Sequence, residues 1–118
     1  MRQAYIDTSI ALLVAKIGYW QFVKLSETWQ LVIPTVTMRE LCHISQNTRR
    51  ILHQLIARKL ICIECSADTE TFDSFALATL RQRGAAIISL DKHLIRKYYR
   101  GVSPPIVLCR NRFHMRDS

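Results

Sequence analysis

The sequence lacks any apolar run long enough to cross a bilayer, which takes about 20 residues in a helix. It also lacks internal repeats, low-complexity tracts and an apolar secretory segment in residues 1–7. These absences exclude a membrane-spanning helix and predict a soluble cytoplasmic protein. The 118 residues, 49% of them hydrophobic, are enough for one domain with its own core and too few for two comfortable ones.

Acidic residues are scarce, with 9 Asp and Glu against 17 Lys and Arg, a net charge of +8. Four of these acids, at positions 7, 40, 73 and 91, occupy special places in the chain. Three of them fall where an apolar strand gives way to a helix. The remaining surface must therefore be positive, which would attract a polyanion. Solubility or a basic interaction face explains such charge equally well.

The four cysteines, Cys42, Cys62, Cys65 and Cys109, do not form the dense pattern of a disulfide framework. Most lie within apolar helix or strand patterns, so we expect reduced core cysteines. Cys62 and Cys65 have the spacing of half a zinc or redox motif, but no second pair follows. Residues three apart on a strand also point to opposite faces, which disfavours a shared ligand.

Strand and helix patterns alternate along the chain. Short apolar runs predict strands at residues 3–6, 31–33, 60–65, 85–90 and 106–109. Amphipathic spacing predicts helices at residues 8–17, 19–29, 37–45, 48–59, 69–83 and 92–99, with Thr37 and Asp68 as caps. The alternation predicts an α/β fold, a three-layer α/β/α sandwich with a mostly parallel central sheet of about four to five strands. Residues 110–118 are predicted to be a flexible tail.

Each of the four acids has an ordinary structural explanation. Asp7 and Asp91 stand where helix N-caps occur. Glu40 follows Thr37 by three residues, the spacing of a capping box, in which the carboxylate binds a backbone N–H. Asp73 borders the apolar stripe of its helix and is there either solvated or functional.

The joint arrangement of the acids predicts one site. In an open parallel sheet, groups just past the carboxyl ends of the strands converge on one crevice. Carboxylates held that close repel one another unless a cation offsets their charge or some are protonated. Hard oxygen ligands select Mg²⁺ or Mn²⁺, and such ions activate water for phosphodiester hydrolysis. The pattern therefore indicates a metal-dependent nuclease.

Four segments carry a resemblance to a known family. They are YIDTS at residues 5–9, IPTVTMREL at 33–41, DSFALA at 73–78 and IISLD at 87–91. In order, spacing and context these segments resemble the successive motifs of PIN-domain ribonucleases. The resemblance spans residues 4–108 and implies a single PIN-like nuclease domain in residues 1–118, a hydrolase that acts as an Mg²⁺- or Mn²⁺-dependent endoribonuclease.

The resemblance also implies roles for individual residues. It implies an acidic centre that binds one or two metal ions through Asp7, Glu40, Asp73 and Asp91, hereafter the four acids. It further implies that Ser9 positions Asp7 or a metal-bound water, and that Ser89 is the small hydroxyl residue ahead of the last acid. Two positions depart from the family pattern. Leu90 replaces a polar residue, and His93 stands where some members carry a further carboxylate.

Basic residues near the acids are expected to bind the RNA substrate. They are Arg39, Lys92, Arg96, Lys97 and Arg100. Tyr98 and Tyr99 lie among them and either stack on bases or pack in the core.

Small stand-alone PIN proteins resemble the VapC-like toxins of toxin–antitoxin pairs, which implies a homodimer and an antitoxin partner. Trp20, Phe22, Val23 and Trp29 are candidates for that interface or for the core. A housekeeping RNA-processing nuclease would carry the same four acids. The alternative of another class is a catalytically silent PIN-like scaffold that binds RNA or protein through its basic face.

Overall fold

A computed structural model describes residues 1–67 and 70–116 of the chain. The strands in these residues are β1 Gln3–Ile6, β2 Gln30–Pro34, β3 Cys62–Glu64, β4 Ala86–Ile88, β5 Ile106–Cys109 and β6 Arg112–Met115. The helices are α1 Thr8–Ala11, α2 Val14–Ile17, α3 Tyr19–Ser26, α4 Thr35–Cys42, α5 Gln46–Ala57, α6 Phe72–Phe75, α7 Arg81–Arg83 and α8 Lys92–Tyr99. A π-helical turn, Ala76–Leu80, joins α6 to α7. In the described part of the chain, no helix has both the length and the apolar character to cross a membrane.

The central sheet has four parallel strands in the order β3-β2-β1-β4. The chain moves from β1 to β2 and β3 on one side, and places β4 on the other side of β1. The strand order therefore reverses between β1 and β4, and ligands of open α/β sheets bind beyond the carboxyl ends of the strands at such a point. The prediction of a mostly parallel α/β sheet is confirmed.

Alternate residues of the strands enter two separate cores, because side chains on a strand point to opposite faces in turn. Ile6, Ile33 and Ile88 pack against α1, α2, α3 and α5 on one face of the sheet. Tyr5 and Ile87 pack against α6, the π-helical turn and α8 on the other face. Helices therefore cover both faces, and the predicted three-layer architecture is confirmed.

The cap predicted for α4 is wrong. The helix begins at Thr35, directly after the extended Pro34, and Thr37 lies within its first turn. A donor of that turn, the Val36 N–H, bonds instead to Ser66 Oγ at 3.0 Å, from a residue 30 positions away. Thr37 is fully buried and donates its hydroxyl to the Ile6 carbonyl oxygen at 3.1 Å. The predicted capping box with Glu40 therefore does not form.

The helix predicted at residues 69–83 begins later, at Phe72, with Thr71 as its cap. The Thr71 hydroxyl accepts the Ser74 N–H, and the Ser74 hydroxyl accepts the Thr71 N–H. Asp68, the predicted cap, lies outside the described residues. The end of the helix is as predicted, at Gly84, whose φ of 67° suits a residue without a Cβ.

The flexible tail predicted at residues 110–118 is wrong for residues 112–115, which form β6. This strand pairs antiparallel with β5, in a two-stranded sheet apart from the central one. Arg110 and Asn111 join the two strands with φ of 52° and 61°, the backbone that tight hairpin turns require. Phe113 then packs edge-to-face on Phe22, with ring centroids 5.3 Å apart, which attaches the hairpin to the core.

The four cysteines are free, but they are not core residues as predicted. Cys62, Cys65 and Cys109 are exposed, and Cys42 is half-buried. Cys62 belongs to β3, which is an edge strand of the central sheet, and Cys109 is the last residue of β5 in the separate hairpin. An edge position leaves one side of each strand without a neighbour, so an apolar pattern there does not guarantee burial.

Candidate functional site

Asp7 follows β1 directly, and it begins α1 as the N-cap. Its Oδ1 accepts the Thr8 N–H at 2.7 Å. Its Oδ2 accepts two hydroxyls, from Ser9 at 3.2 Å and from Ser89 at 2.5 Å. The side chain is 8% exposed. The ordinary cap explanation of Asp7 is therefore confirmed, but a simple cap uses one oxygen, whereas both oxygens of this carboxylate are held by the protein.

Burial raises the pKa of Asp7 above its ordinary value, because a buried carboxylate loses hydration in its charged form. The hydrogen bonds from Ser89, Thr8 and Ser9 lower the pKa in part, and the Asp73 carboxylate raises it further. The charged form of Asp7 is thus less favourable than it would be in water, although three donors are directed at it.

Two serine hydroxyls connect the end of β1 to the loop between β4 and α8. Ser89 Oγ accepts the Asp91 N–H at 3.0 Å while it donates to Asp7. Ser9 Oγ accepts the Leu90 N–H at 3.0 Å while it also donates to Asp7. The loop that carries Asp91 is therefore positioned by the same groups that hold Asp7.

Glu40 projects from α4 toward the start of α1. Its Oε2 accepts the hydroxyl of Thr8 at 2.7 Å. The Thr37 bond to the end of β1 places α4 beside Asp7, one turn before Glu40. Thr8 was not singled out from the sequence, although it lies within the YIDTS segment. Its backbone N–H contacts one acid and its side chain contacts another, so a single residue relates Asp7 to Glu40.

Asp73 lies on α6 and is exposed. Partial burial raises its pKa, and the negative charges of Asp91 and Glu40 raise it further, while Lys97 lowers it. Asp91 caps α8, with Oδ1 accepting the N–H groups of His93 at 3.0 Å and Leu94 at 3.2 Å. Electrostatic repulsion thus couples Asp73 to each of the other three acids, and like charges raise a carboxyl pKa in this way when they are near one another.

The donor atoms at this site suit a divalent cation of the Mg²⁺ or Mn²⁺ type, because carboxylate oxygens are hard ligands. Burial raises the pKa values of Asp7 and Asp73, and neighbouring carboxylates raise them further, a repulsion that a cation would offset. Within residues 1–67 and 70–116, no three His, Cys, Asp or Glu side chains stand close enough to hold one ion as they are arranged. The residues therefore fit a divalent cation in chemistry and charge, but their carboxylates are spaced more widely than in a closed coordination shell.

The basic residues predicted to bind RNA differ in their surroundings. Arg39 on α4 donates to the Glu70 carbonyl oxygen at 2.9 Å, so part of its guanidinium serves the loop before α6. Lys97 on α8 lowers the pKa of Asp73, which shows that its positive charge lies near that acid. Exposed side chains on α8 and just beyond it also include Lys92, Arg96 and Arg100.

For Tyr98 and Tyr99 the packing alternative is confirmed. Tyr98 is 6% exposed and donates its hydroxyl to the Ala85 carbonyl oxygen. The Tyr99 hydroxyl accepts the Ile87 N–H at 2.9 Å and donates to the Ile87 carbonyl oxygen at 3.1 Å. Because β4 is an edge strand, Tyr99 takes the place of a neighbouring strand at Ile87.

The protein has a PIN-like fold. The PIN domain endonuclease Utp24 matches it with a TM-score of 0.65 and 14% sequence identity, over 96% of this chain and 90% of that chain. A PilT N-terminus domain protein from the hyperthermophilic archaeon Sulfolobus solfataricus P2 matches with a TM-score of 0.50 and 15% identity, over 82% of this chain and 79% of that chain. No protein-family model and no curated protein sequence matches the chain.

Proposed function

We propose that this protein is a divalent-metal-dependent endoribonuclease that hydrolyses RNA phosphodiester bonds. One observation carries the proposal: a buried carboxylate, Asp7, is held by two serine hydroxyls at the point of the sheet where the strand order reverses. The PIN-like fold supports the same conclusion, since one of its structural relatives is a PIN domain endonuclease.

The electrostatics favour a cation at this site. The fold retains a buried acid next to other acids, although burial and repulsion both raise its pKa. Titratable groups with strongly perturbed environments concentrate at functional sites, where the unfavourable charge has a use. A bound Mg²⁺ or Mn²⁺ would remove the repulsion, with the four acids as the residues that hold it.

When bound, such an ion supplies an activated water and neutralises charge on the departing oxygen. The protein's own part is to hold and orient the ligands. Ser9 and Ser89 orient Asp7 Oδ2, and the Thr8 hydroxyl orients Glu40 Oε2. Two backbone N–H groups fix Oδ1 of Asp91, which leaves its Oδ2 for a ligand. No protein nucleophile is needed for hydrolysis of this kind.

The distribution of charge supports a nucleic acid as the substrate. With four of the nine acids in the site, five remain elsewhere against 17 Lys and Arg. A polyanion is attracted to such a surface and steered toward the site. In the proposal, Lys92, Arg96, Lys97 and Arg100 bind phosphates of the strand on either side of the acids, and Arg39 adds a contact from α4.

The experiment that tests the proposal compares the unmodified chain with Asp7→Asn on a mixture of single-stranded and structured RNA in Mn²⁺ or Mg²⁺. We expect cleavage that EDTA abolishes, and a loss of roughly 100-fold in rate for Asp7→Asn. The matched control is Glu27→Gln, which removes an exposed acid at the end of α3 and should cut at the normal rate. Equal cutting by the unmodified chain and Asp7→Asn would contradict the proposal.

The alternative, a catalytically silent PIN-like scaffold, predicts the opposite result for the same samples. A scaffold binds RNA through its basic face, cuts none of it, and gains no thermal stability from Mn²⁺. Retained RNA binding without cleavage or metal-dependent stabilisation would therefore replace the nuclease proposal with this one.

The toxin role extends the proposal to a cytoplasmic homodimer silenced by an antitoxin. Phe22 and Trp29 are buried in the core, so neither is available to a partner. Trp20 remains 67% exposed and stacks on Tyr19, with ring centroids 5.5 Å apart. This pair on α3 supports an interface at that helix. Light scattering on the unmodified chain and Trp20→Ala tests it, and a monomer in both samples rules out the homodimer.

A further inference from the structure

A groove of about 320 Å³ runs between α8 and the β5–β6 hairpin, and it begins at Ser89. Ser89 is also the residue that donates to Asp7 Oδ2. Leu90, the next residue in the chain, lines the groove and is 48% exposed. The groove therefore adjoins the site of the four acids, because Ser89 lines the groove and contacts Asp7, and Leu90 directly precedes Asp91.

The walls of the groove combine apolar surface with two cations. Ile106 and Val107 of β5 line it together with Ile95 of α8. Lys92 and Arg96 lie one turn apart on α8, on the side that lines the groove. Leu94 and Tyr98 of the same helix are buried in the core, and Tyr99 packs against it. The helix thus presents one face to the protein interior and a mixed apolar and basic face to the groove.

We propose that this groove binds one unpaired nucleobase of the RNA strand, next to the phosphate at the four acids. The proposal rests on the nuclease function above and adds a binding site for one base of the substrate strand. A volume of about 320 Å³ is at the lower limit of small-molecule sites, roughly 300–1,000 Å³. That space is sufficient for a single splayed base.

The chemistry of the lining fits such an occupant. A base has a flat apolar face, which Leu90, Ile95 and Val107 cover. The phosphates on either side of the base are anionic, and Lys92 and Arg96 in the lining neutralise their charge. An Arg guanidinium also stacks on bases, and bases of a duplex are unavailable for such contacts because they are paired and stacked. The position of the groove beside the acids favours a nucleotide over a peptide, because a phosphate bound at the acids is linked through its ribose to a base within reach of the groove.

The test measures binding without cleavage, with the full chain in Ca²⁺ and a fluorescent single-stranded hexaribonucleotide. An abasic residue is placed at each position of the strand in turn. We expect one position at which loss of the base raises the Kd roughly tenfold, as for loss of a single stacked base. An equal effect at every position, or no binding of RNA at all, overturns the proposal.

A matched pair of valines shows whether that base lies in the groove. Val107→Trp fills the groove, whereas Val102→Trp adds the same ring at an exposed position outside its lining. Val107→Trp should raise the Kd of the intact strand roughly tenfold and remove the effect of the abasic residue. Val102→Trp should bind as the unmodified chain does. If Val107→Trp does not fold, as judged by circular dichroism, the smaller Val107→Phe replaces it.

The outcome for the groove is separable from that for the nuclease. Cleavage that depends on Asp7, together with unchanged RNA binding by Val107→Trp, overturns the groove assignment and leaves the nuclease intact. The opposite result is also possible. If the abasic residue weakens binding at one position, Val107→Trp removes that effect and the chain cuts no RNA, the nuclease proposal is overturned and the base-binding groove is kept.

Discussion

The Ser89 hydroxyl donates a hydrogen bond of 2.5 Å to Oδ2 of Asp7, a residue 82 positions earlier in the chain. The two residues follow β4, at the edge of the sheet, and β1, next to it, and these strands pair in parallel. The bond lowers the pKa of Asp7 against the effect of burial. The same oxygen of Ser89 accepts the Asp91 N–H, so one hydroxyl sets the relation between two of the proposed metal ligands.

Replacing Ser89 with Ala should alter the pH dependence of cleavage. Without this donor the pKa of Asp7 rises further, so the carboxylate becomes charged at a higher pH. We expect the acidic limb of the kcat/KM profile to move to higher pH, with a loss of roughly tenfold at the acid end and less at the alkaline end. The control is Ser103→Ala, which alters an exposed loop serine. An equal loss at every pH would indicate a merely structural effect.

The stability of the metal-free protein should fall as the pH rises through the raised pKa values of Asp7 and Asp73. Both values lie above the ordinary 3.8 in the folded chain. Between the ordinary and raised values, the folded state binds more protons than the unfolded state, so stability decreases with pH in that interval. Asp7→Asn removes one titrating group and should flatten the curve. Urea unfolding in EDTA measures this, with Glu27→Gln as the control, and identical curves for Asp7→Asn and the unmodified chain contradict it.

Manganese should stabilise the unmodified chain more than Asp7→Asn. A ligand that binds the folded state alone adds about 2.7 kcal/mol to the free energy of unfolding at 100 times its Kd. Thermal unfolding across a Mn²⁺ titration gives the measurement, and Glu27→Gln should gain as much as the unmodified chain. Equal gains for all three proteins would place the ion away from Asp7.

Thr37→Val should lower the free energy of unfolding by about 1 kcal/mol, because the buried Ile6 carbonyl oxygen loses a hydrogen bond while the side-chain volume is kept. The same bond positions α4, so cleavage should fall together with stability. Urea unfolding at neutral pH provides the value. Thr28→Val, at an exposed position, should change stability by less than about 0.5 kcal/mol. Equal stability of Thr37→Val and the unmodified chain would show that the bond contributes nothing.

Tyr99→Phe should lower the free energy of unfolding by about 1–3 kcal/mol, since both the N–H and the carbonyl oxygen of Ile87 lose their phenol partner. RNA affinity should stay the same, because the half-buried ring packs against the core and does not stack on bases. Fluorescence anisotropy and urea unfolding test the two statements together. Tyr19→Phe, at an exposed tyrosine, serves as the control. Weaker RNA binding without a loss of stability would return Tyr99 to the RNA interface.

Local patterns were sufficient for much of the fold. The bounds of β1 and α8 agree with the sequence prediction because β1 is a distinct apolar run, α8 has a clear helical period, and a capping acid stands next to each. Local sequence did not predict where α4 begins. The spacing of a capping box was present at Thr37, but the extended Pro34 and the hydrogen bond to Ser66 place the start of the helix at Thr35. β5 was predicted at its observed bounds. Its hairpin partner β6 was missed because the signal of the turn, two residues with positive φ at Arg110 and Asn111, lies in backbone conformation and not in periodicity.

The sequence by itself determined which groups were available: four acids among few, an alternation of strands and helices, and an excess of positive charge. Tertiary structure alone decided that Ser89 holds Asp7, that Thr8 relates Asp7 to Glu40, and that a groove opens beside Asp91. The physical reason is the distance along the sequence between the residues that interact. Periodicity and capping depend on residues a few positions apart, whereas these contacts depend on strand order, which brings together groups as many as 82 residues apart.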